Sequence, residues 1–389
     1  MEEKNYWREY CLNQENALNG NAVRLFKNSE EAFAETLRTL RSAKKFALLE
    51  FYAFADDAVG RAFKDLLIKK AKEGVGVYLI YDAVGSILTD RDFFSKLAAG
   101  GVNVAEFRPV VLWKPYWNWL KRDHRKLICV DGEAALVGGF NITEQEAPIS
   151  MGGRGWKNAQ VRVEGPAVPE VEKLFWESWG ASSKFAGACA PPPGPDRGAG
   201  GEKHKTGGVY VSVVSATGLR NFRSIRRSYS YAIDRAKKYI YITNAYFLPD
   251  RFVYRRLIRA VGRGVDVRII GPYKTDHPYI RWASWSMYPH MIKNGVKLYE
   301  WQGEILHSKT AVIDGIWASV GSHNLDHRSM QYNLEVNINV FDRGFGAALA
   351  GAFMEDLANS KPVTLLEAKS RPFLSKAASK LLYLFRSWA

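Results

Sequence analysis

HRKLICVDGEAALVGGFN, residues 124–141, and HSKTAVIDGIWASVGSHN, residues 307–324, are one pattern written twice. Each copy sets a His, a Lys two positions on, an Asp and then an Asn seventeen positions past the His: His124, Lys126, Asp131 and Asn141, then His307, Lys309, Asp314 and Asn324. One H-x-K-x4-D string arises by chance; two with matching asparagines form a specific signal. On a β-strand, side chains two apart share a face, so each His and its Lys point into one space. Each Asn follows a Gly-Gly or Gly-Ser turn. Facing one another, the copies would surround one phosphate with two imidazoles, two ammonium groups and two amides, complementary to a pentacoordinate phosphorane. Such a site calls for no metal and no cofactor.

Reading outward, the repeat extends through both halves of the chain. AKKFALLEFYAF (43–54) matches AKKYIYITNAYF (236–247), GVGVYLIYD (74–82) matches GVDVRIIGP (264–272), and AAGGVNVAEF (98–107) matches IKNGVKLYEW (292–301). β-rich apolar runs alternate with amphipathic helical stretches. The expected fold is α/β, with two pseudo-symmetric lobes, each a mostly parallel or mixed sheet flanked by helices. The lobes are expected at 1–180 and 209–389. Between them ASSKFAGACAPPPGPDRGAGGEKHKTGG, residues 181–208, reads as a Pro/Gly-rich linker.

A chain of 389 residues with 47% hydrophobic content can bury two cores or one two-lobed core, which excludes disorder throughout. Its formal charge of +15 points to a polyanionic partner: nucleic acid, acidic lipid headgroups or a phosphorylated substrate. Twelve Trp, 19 Tyr and 20 Phe mixed with Lys and Arg suit a lipid–water interface as well as base stacking. Cys11, Cys129 and Cys189 lie far apart without a C-x-x-C pair, so neither a disulfide framework nor a thiolate metal site is supported. The opening MEEKNYWREYCLNQEN has no signal-like core, and no window offers about 18 uninterrupted apolar residues. If the chain works on lipid, peripheral attachment is expected.

The paired motifs, together with EFYAF, YDAVGS, VRVEGPAV, NAYFLPD, GSHNLDHRS and NLEVN, resemble the phospholipase D superfamily, and within it the bacterial cardiolipin synthases of the form without N-terminal transmembrane helices. The resemblance covers nearly the whole chain. It implies an active site at the lobe interface and a two-step phosphatidyl transfer through a covalent phosphohistidine, from one phosphatidylglycerol to another with release of glycerol. The alternatives are hydrolysis to phosphatidic acid and, further off, a nuclease or other phosphodiesterase. By the resemblance the catalytic set is His124, Lys126, Asp131, His307, Lys309 and Asp314, with His124 the nucleophile and the aspartates fixing the motif loops. Lys126, Lys309, Asn141 and Asn324 would hold phosphate oxygens. The partners implied are an anionic phospholipid and a membrane surface, with nucleic acid set aside and no protein partner indicated. The location implied is the cytoplasmic face of the bacterial inner membrane.

Superfamily members carry an acidic residue beyond each motif that orients a catalytic imidazole. Glu335 in NLEVN fits that role, whereas Trp156-Lys157-Asn158-Ala159-Gln160 supplies the amide Asn158 instead. An amide orients a ring but cannot balance its charge, so the histidine served by Glu335 is expected to be the more readily protonated. Other features have plain structural readings. Glu50 and Asp57 suit packing or lobe contacts, Trp176 and Trp179 a helix core face, and His204, His277, His290, His323 and His327 ordinary roles. Two segments read as membrane contacts or as packing: the aromatic run VVLWKPYWNWLKR beginning at Val110, and the basic amphipathic tail PFLSKAASKLLYLFRSWA.

Overall fold

The computed structural model describes residues 5–110, 121–186, 206–216 and 221–370. The aromatic run from Val111 to Leu120, most of the Pro/Gly-rich stretch with His204, and the basic tail lie outside the described residues.

The first half contributes β1 (Leu18–Phe26), β2 (Phe46–Phe51), β3 (Gly76–Asp82), β4 (Asn103–Phe107), β5 (Lys126–Val130), β6 (Ala134–Gly138) and β7 (Gln160–Glu164). The second contributes β8 (Val209–Ala216), β9 (Tyr239–Asn244), β10 (Asp266–Pro272), β11 (Lys297–Trp301), β12 (Lys309–Ile313), β13 (Trp317–Gly321), β14 (Glu335–Phe341) and the short β15 (Ser360–Pro362). Outward from the centre, the first half runs β1-β7-β6-β5-β2-β3-β4 and the second β8-β14-β13-β12-β9-β10-β11, with β15 on the outer edge. The orders are the same. β1 and β8 pair antiparallel at the midline, so the described strands form a single 15-stranded sheet.

The sheet is mixed. Among the described residues only the pairs β2–β3, β3–β4, β9–β10 and β10–β11 are parallel, so of the expected alternatives, mostly parallel or mixed, each lobe takes the mixed one. The motif itself causes the antiparallel part. Asp131 and Gly132 both have positive φ (55° and 71°), as do Asp314 and Gly315 (54° and 67°). Two consecutive left-handed residues make a type I′ turn, closed by Glu133 N–H to Val130 O at 3.0 Å and Ile316 N–H to Ile313 O at 3.0 Å. Each motif therefore folds as a β-hairpin, β5–β6 or β12–β13.

The hairpin strands are buried throughout, as their unbroken apolar runs require. Helices cover the sheet, and several of them are started by a side chain that accepts a backbone N–H, among them Asn28 before Ser29–Ser42, Asp57 before Ala58–Lys72, Asp250 before Arg251–Gly262 and Asp342 before Arg343–Ala358. Asp57 is thus a helix cap. One core crosses the midline, joining Leu127, Val161 and Val163 to Val312, Val336 and Ile338. The helix Val168–Ala186 continues six residues into the stretch read as linker, because ASSKFA has no helix breaker. On it Trp179 is buried and Trp176 half-buried, both against Tyr78.

Behind the first motif lies a buried charge cluster. Arg125 is fully buried, donates to Leu174 O (3.2 Å) and Ser178 Oγ (3.0 Å), and lies 3.6 Å from Glu50 Oε1. Burial and the neighbouring Asp123 hold the Glu50 carboxyl well above its usual range. Arg125→Ala would leave two buried acids without their cation, and should cost about 3–5 kcal/mol of unfolding free energy. Urea unfolding checks this; an unchanged midpoint would mean the cluster is already neutral.

Candidate active site

The two motif histidines are held by backbone pairing across the halves. His124 N–H donates to Leu334 O (2.9 Å), and Leu334 N–H donates back to Arg122 O (2.8 Å). The other half repeats the arrangement: His307 N–H to Lys157 O (2.7 Å) and Lys157 N–H to Ile305 O (2.9 Å). Each bridge sits just before a strand, β14 or β7, so the residue after it reaches the partner half's imidazole. Those residues are Glu335 and Asn158.

His124 Nδ1 lies 3.0 and 3.1 Å from the two Glu335 oxygens, and Ser322 Oγ donates to the same carboxylate at 2.5 Å. A carboxylate only accepts, so Nδ1 carries the proton and Nε2 is the reactive nitrogen. Glu335 therefore serves the first-half histidine although it lies in the second half. Around His307, Asn158 is not alone. Glu146 Oε2 lies 3.3 Å from His307 Nδ1 and accepts from Asn158 Nδ2 at 2.9 Å, while Asn141 Nδ2 donates to Glu146 Oε1. Asn158 Nδ2 is also 3.2 Å from His307 Nδ1, but two donors cannot bond one another, so both turn to Glu146. Glu146 was absent from the candidates. It lies in an irregular loop, and the second half has Ser329 five residues past its motif Asn where the first has Glu146.

The electrostatics correct the expected order of basicity. Burial lowers His124 well below the ordinary imidazole range, with Lys126 and Lys309 adding to it. Burial and Lys309 also lower His307, but Glu146 and Asp276 oppose them. Burial raises Glu335. It pushes Glu146 up too, yet the cationic His307, Lys309 and the Asn141 amide outweigh that and hold the acid at about 2. The more acidic of the two carboxyl groups therefore stands beside His307, which is the more readily protonated ring; Asn158 leaves no charge deficit.

The lysines are buried behind the histidines. Lys126 Nζ donates to His124 O (2.8 Å) and Lys309 Nζ to His307 O. Burial brings their pKa values down to about 8 and about 7. Asn141 and Asn324 line the cavity with both histidines; Asn141 Oδ1 accepts from Ala53 N–H (3.0 Å), and Asn324 Oδ1 is buried without a partner. The motif aspartates sit at the opposite strand ends, in the hairpin turns. Asp131 accepts the backbone N–H groups of Lys44, Lys45 and Phe46, and Asp314 those of Lys237, Lys238 and Tyr239, all at 2.7–2.8 Å. Counting Asp131 and Asp314 in the catalytic set is corrected on that ground: they clamp the entry to β2 and β9 and do not line the cavity.

The cavity has a volume of about 230 Å³. Its wall holds His124 and His307 with Glu146, the aromatic rings of Tyr52, Trp156, Tyr246 and Tyr279, and the basic side chains Arg122 and Arg328. His277 also lines it, whereas His323 is buried and held at about 4.

Comparison with known proteins places this geometry in a family. A family described as cardiolipin synthase, PLD-like domain, matches residues 36–179 and 229–357. The major cardiolipin synthase ClsA of Bacillus subtilis is 32% identical over 366 residues, 93% of this chain and 75% of that protein. The cardiolipin synthase of Geobacillus thermodenitrificans is 32% identical over 364 residues, 91% of this chain and 70% of that protein. Among solved structures, the phosphatidylserine synthase of Haemophilus influenzae superposes with a TM-score of 0.70 at 14% identity, covering 94% of this chain and 95% of its own. At that identity the likeness shows the fold.

Proposed function

The chain belongs to the cardiolipin synthase family of phospholipase D-like proteins, and on that premise we propose that it moves a phosphatidyl group from one phosphatidylglycerol to the primary hydroxyl of a second, releasing glycerol. The observation that carries the reading is the pair of imidazoles on one cavity, each with Nδ1–H on a carboxylate and Nε2 left for chemistry. His124, the less basic ring, is neutral and attacks phosphorus through Nε2. His307, the more basic ring, gives its Nε2 proton to the departing glycerol oxygen. The P–O bond breaks as the P–N bond forms. In the second step neutral His307 takes the proton of the incoming hydroxyl, whose oxygen attacks phosphorus and expels His124. One diester replaces another, so no nucleotide is consumed.

Asn141 keeps one amide N–H beyond the one given to Glu146, and with Asn324 would hold the phosphate oxygens. Lys126 and Lys309 supply positive potential from behind the rings. The acceptor lipid is itself an anion, which Arg328 on the cavity wall suits. We further propose peripheral attachment to the cytoplasmic face of the bacterial inner membrane. The net charge of +15 supports it, and no helix among the described residues is long and apolar enough to cross a membrane.

The test is mass spectrometry of lipids after incubating the purified protein with phosphatidylglycerol vesicles. Cardiolipin and glycerol should form in equal amounts, and added glycerol should drive the reaction back. Phosphatidic acid as the only product would replace transfer by hydrolysis.

A further inference from the structure

The two halves place their imidazole-orienting carboxylates at different positions. Gly139 N–H donates to Ala159 O (3.1 Å) and Ser322 N–H to Val336 O (2.9 Å), so the residues before those acceptors, Asn158 and Glu335, are structural counterparts. Five residues past the motif asparagines, Glu146 and Ser329 stand at the same sequence offset. One half has Glu335 at the strand start with Ser329 in the short helix His327–Gln331, the other Asn158 just before the strand with Glu146 in a loop. In the second half the acid accepts from Ser322 Oγ, and Ser329 lies beside it. In the first the acid accepts from Asn158 Nδ2 and Asn141 Nδ2.

We propose that Glu146 is the positioning residue of His307, a carboxylate relocated from the strand-start position that Asn158 occupies, and that the Glu146–Asn158 pair does for His307 what Glu335 with its serines does for His124. Glu146 is buried, and both its oxygens are taken by the groups of this site. It fixes the Nδ1–H tautomer and balances the imidazolium. Asn158 turns its amide nitrogen to Glu146 because its Oδ1 is held by Ala159 N–H (2.9 Å). Gly139 is part of the same device, since a Cβ there would lie 2.2 Å from Asn158 Oδ1. The other groups acting on His307 are Lys309, Asp276, His124 and the rings of Trp156 and Tyr246. Among these, Glu146 alone is hydrogen-bonded to the imidazole as a carboxylate.

The proposal's kinetic part rests on His307 being the proton donor; its structural part does not, and the experiment separates them. Histidine-selective ¹⁵N NMR of the full chain without lipid follows the titration and tautomer of His307. Turnover of phosphatidylglycerol is measured on the same samples. In Glu146→Gln, which keeps the shape, the His307 titration should move down by about one unit or more, as expected for loss of an adjacent opposite charge. The alkaline limb of the rate profile should move to lower pH with it, because His307 must be protonated for the first step. Glu146→Ser should behave alike, and the double variant Glu146→Ser/Asn158→Asp, which puts a carboxylate back at the position equivalent to Glu335, should bring back both the titration and kcat to within roughly tenfold of the parent. A double variant no different from Glu146→Ser in the His307 titration, or a Glu146→Gln titration unchanged from the parent, would overturn the relocation. A titration that shifts and is restored while kcat stays constant would uphold the relocation and remove His307 from the proton-donor role.

Discussion

His124→Ala should abolish phosphatidyl transfer, and His307→Ala should slow it by about 10²–10⁴-fold, the usual worth of a positioned general acid–base. The two effects differ in kind. Without His124 no neutral motif imidazole is left to form the P–N bond: His307 begins with its Nε2 protonated, and His277, the further imidazole among the described residues of the cavity wall, has no place in either motif. Without His307 attack can still occur, but glycerol must leave as an unprotonated alkoxide and the second alcohol must enter with its proton in place. Both variants should keep the fold, since the backbone bridges to Leu334 and Lys157 do not use the side chains. Rates on phosphatidylglycerol vesicles, with circular dichroism as the control, check this. Near-normal turnover in either variant would dissolve the single shared site.

Glu335→Gln should lower kcat by roughly 10²–10⁴-fold with little change in KM, by comparison with the carboxylate of the serine-protease triad. As Nε2 bonds to phosphorus while Nδ1 keeps its proton, the His124 ring becomes cationic. Glu335 is the carboxylate on that proton, in a fully buried position where the charge is poorly screened by water. Glutamine keeps the shape and one acceptor oxygen but no charge. The step most slowed should be formation of the covalent intermediate, so a pre-steady-state release of glycerol should slow along with turnover. Wild-type kinetics in a folded Glu335→Gln protein would mean that the charge of the adduct is balanced elsewhere, as by Glu146 on the shared cavity.

The sequence made the site's membership legible where the repeat could be used. His124 with His307, Lys126 with Lys309, and Asn141 with Asn324 stand at equal offsets in two copies, and Glu335 stands in a strand pattern with an apolar neighbour on each side. Glu146 escaped because the repeat comparison works against it: its counterpart is Ser329, and its loop has neither helical nor strand periodicity. The hairpins were within reach. Asp131-Gly132 and Asp314-Gly315 between apolar runs are the dipeptide a two-residue hairpin favours, and reading them so gives both the antiparallel sheet centre and the backbone-clamping role of the aspartates. The crossing of partners, Glu335 to His124 and Glu146 to His307, depends on β1 pairing β8 at the midline, a contact between residues almost two hundred positions apart.

The most direct test of a covalent path through His124 is to catch the adduct. Protein mixed with phosphatidylglycerol, quenched in alkali because a P–N bond to imidazole is acid-labile, and digested should yield a phosphatidyl-modified peptide containing His124, formed and consumed at rates that account for turnover. It should be missing in His124→Ala. An adduct on His307 instead, or full turnover with no adduct on either histidine, would contradict the account.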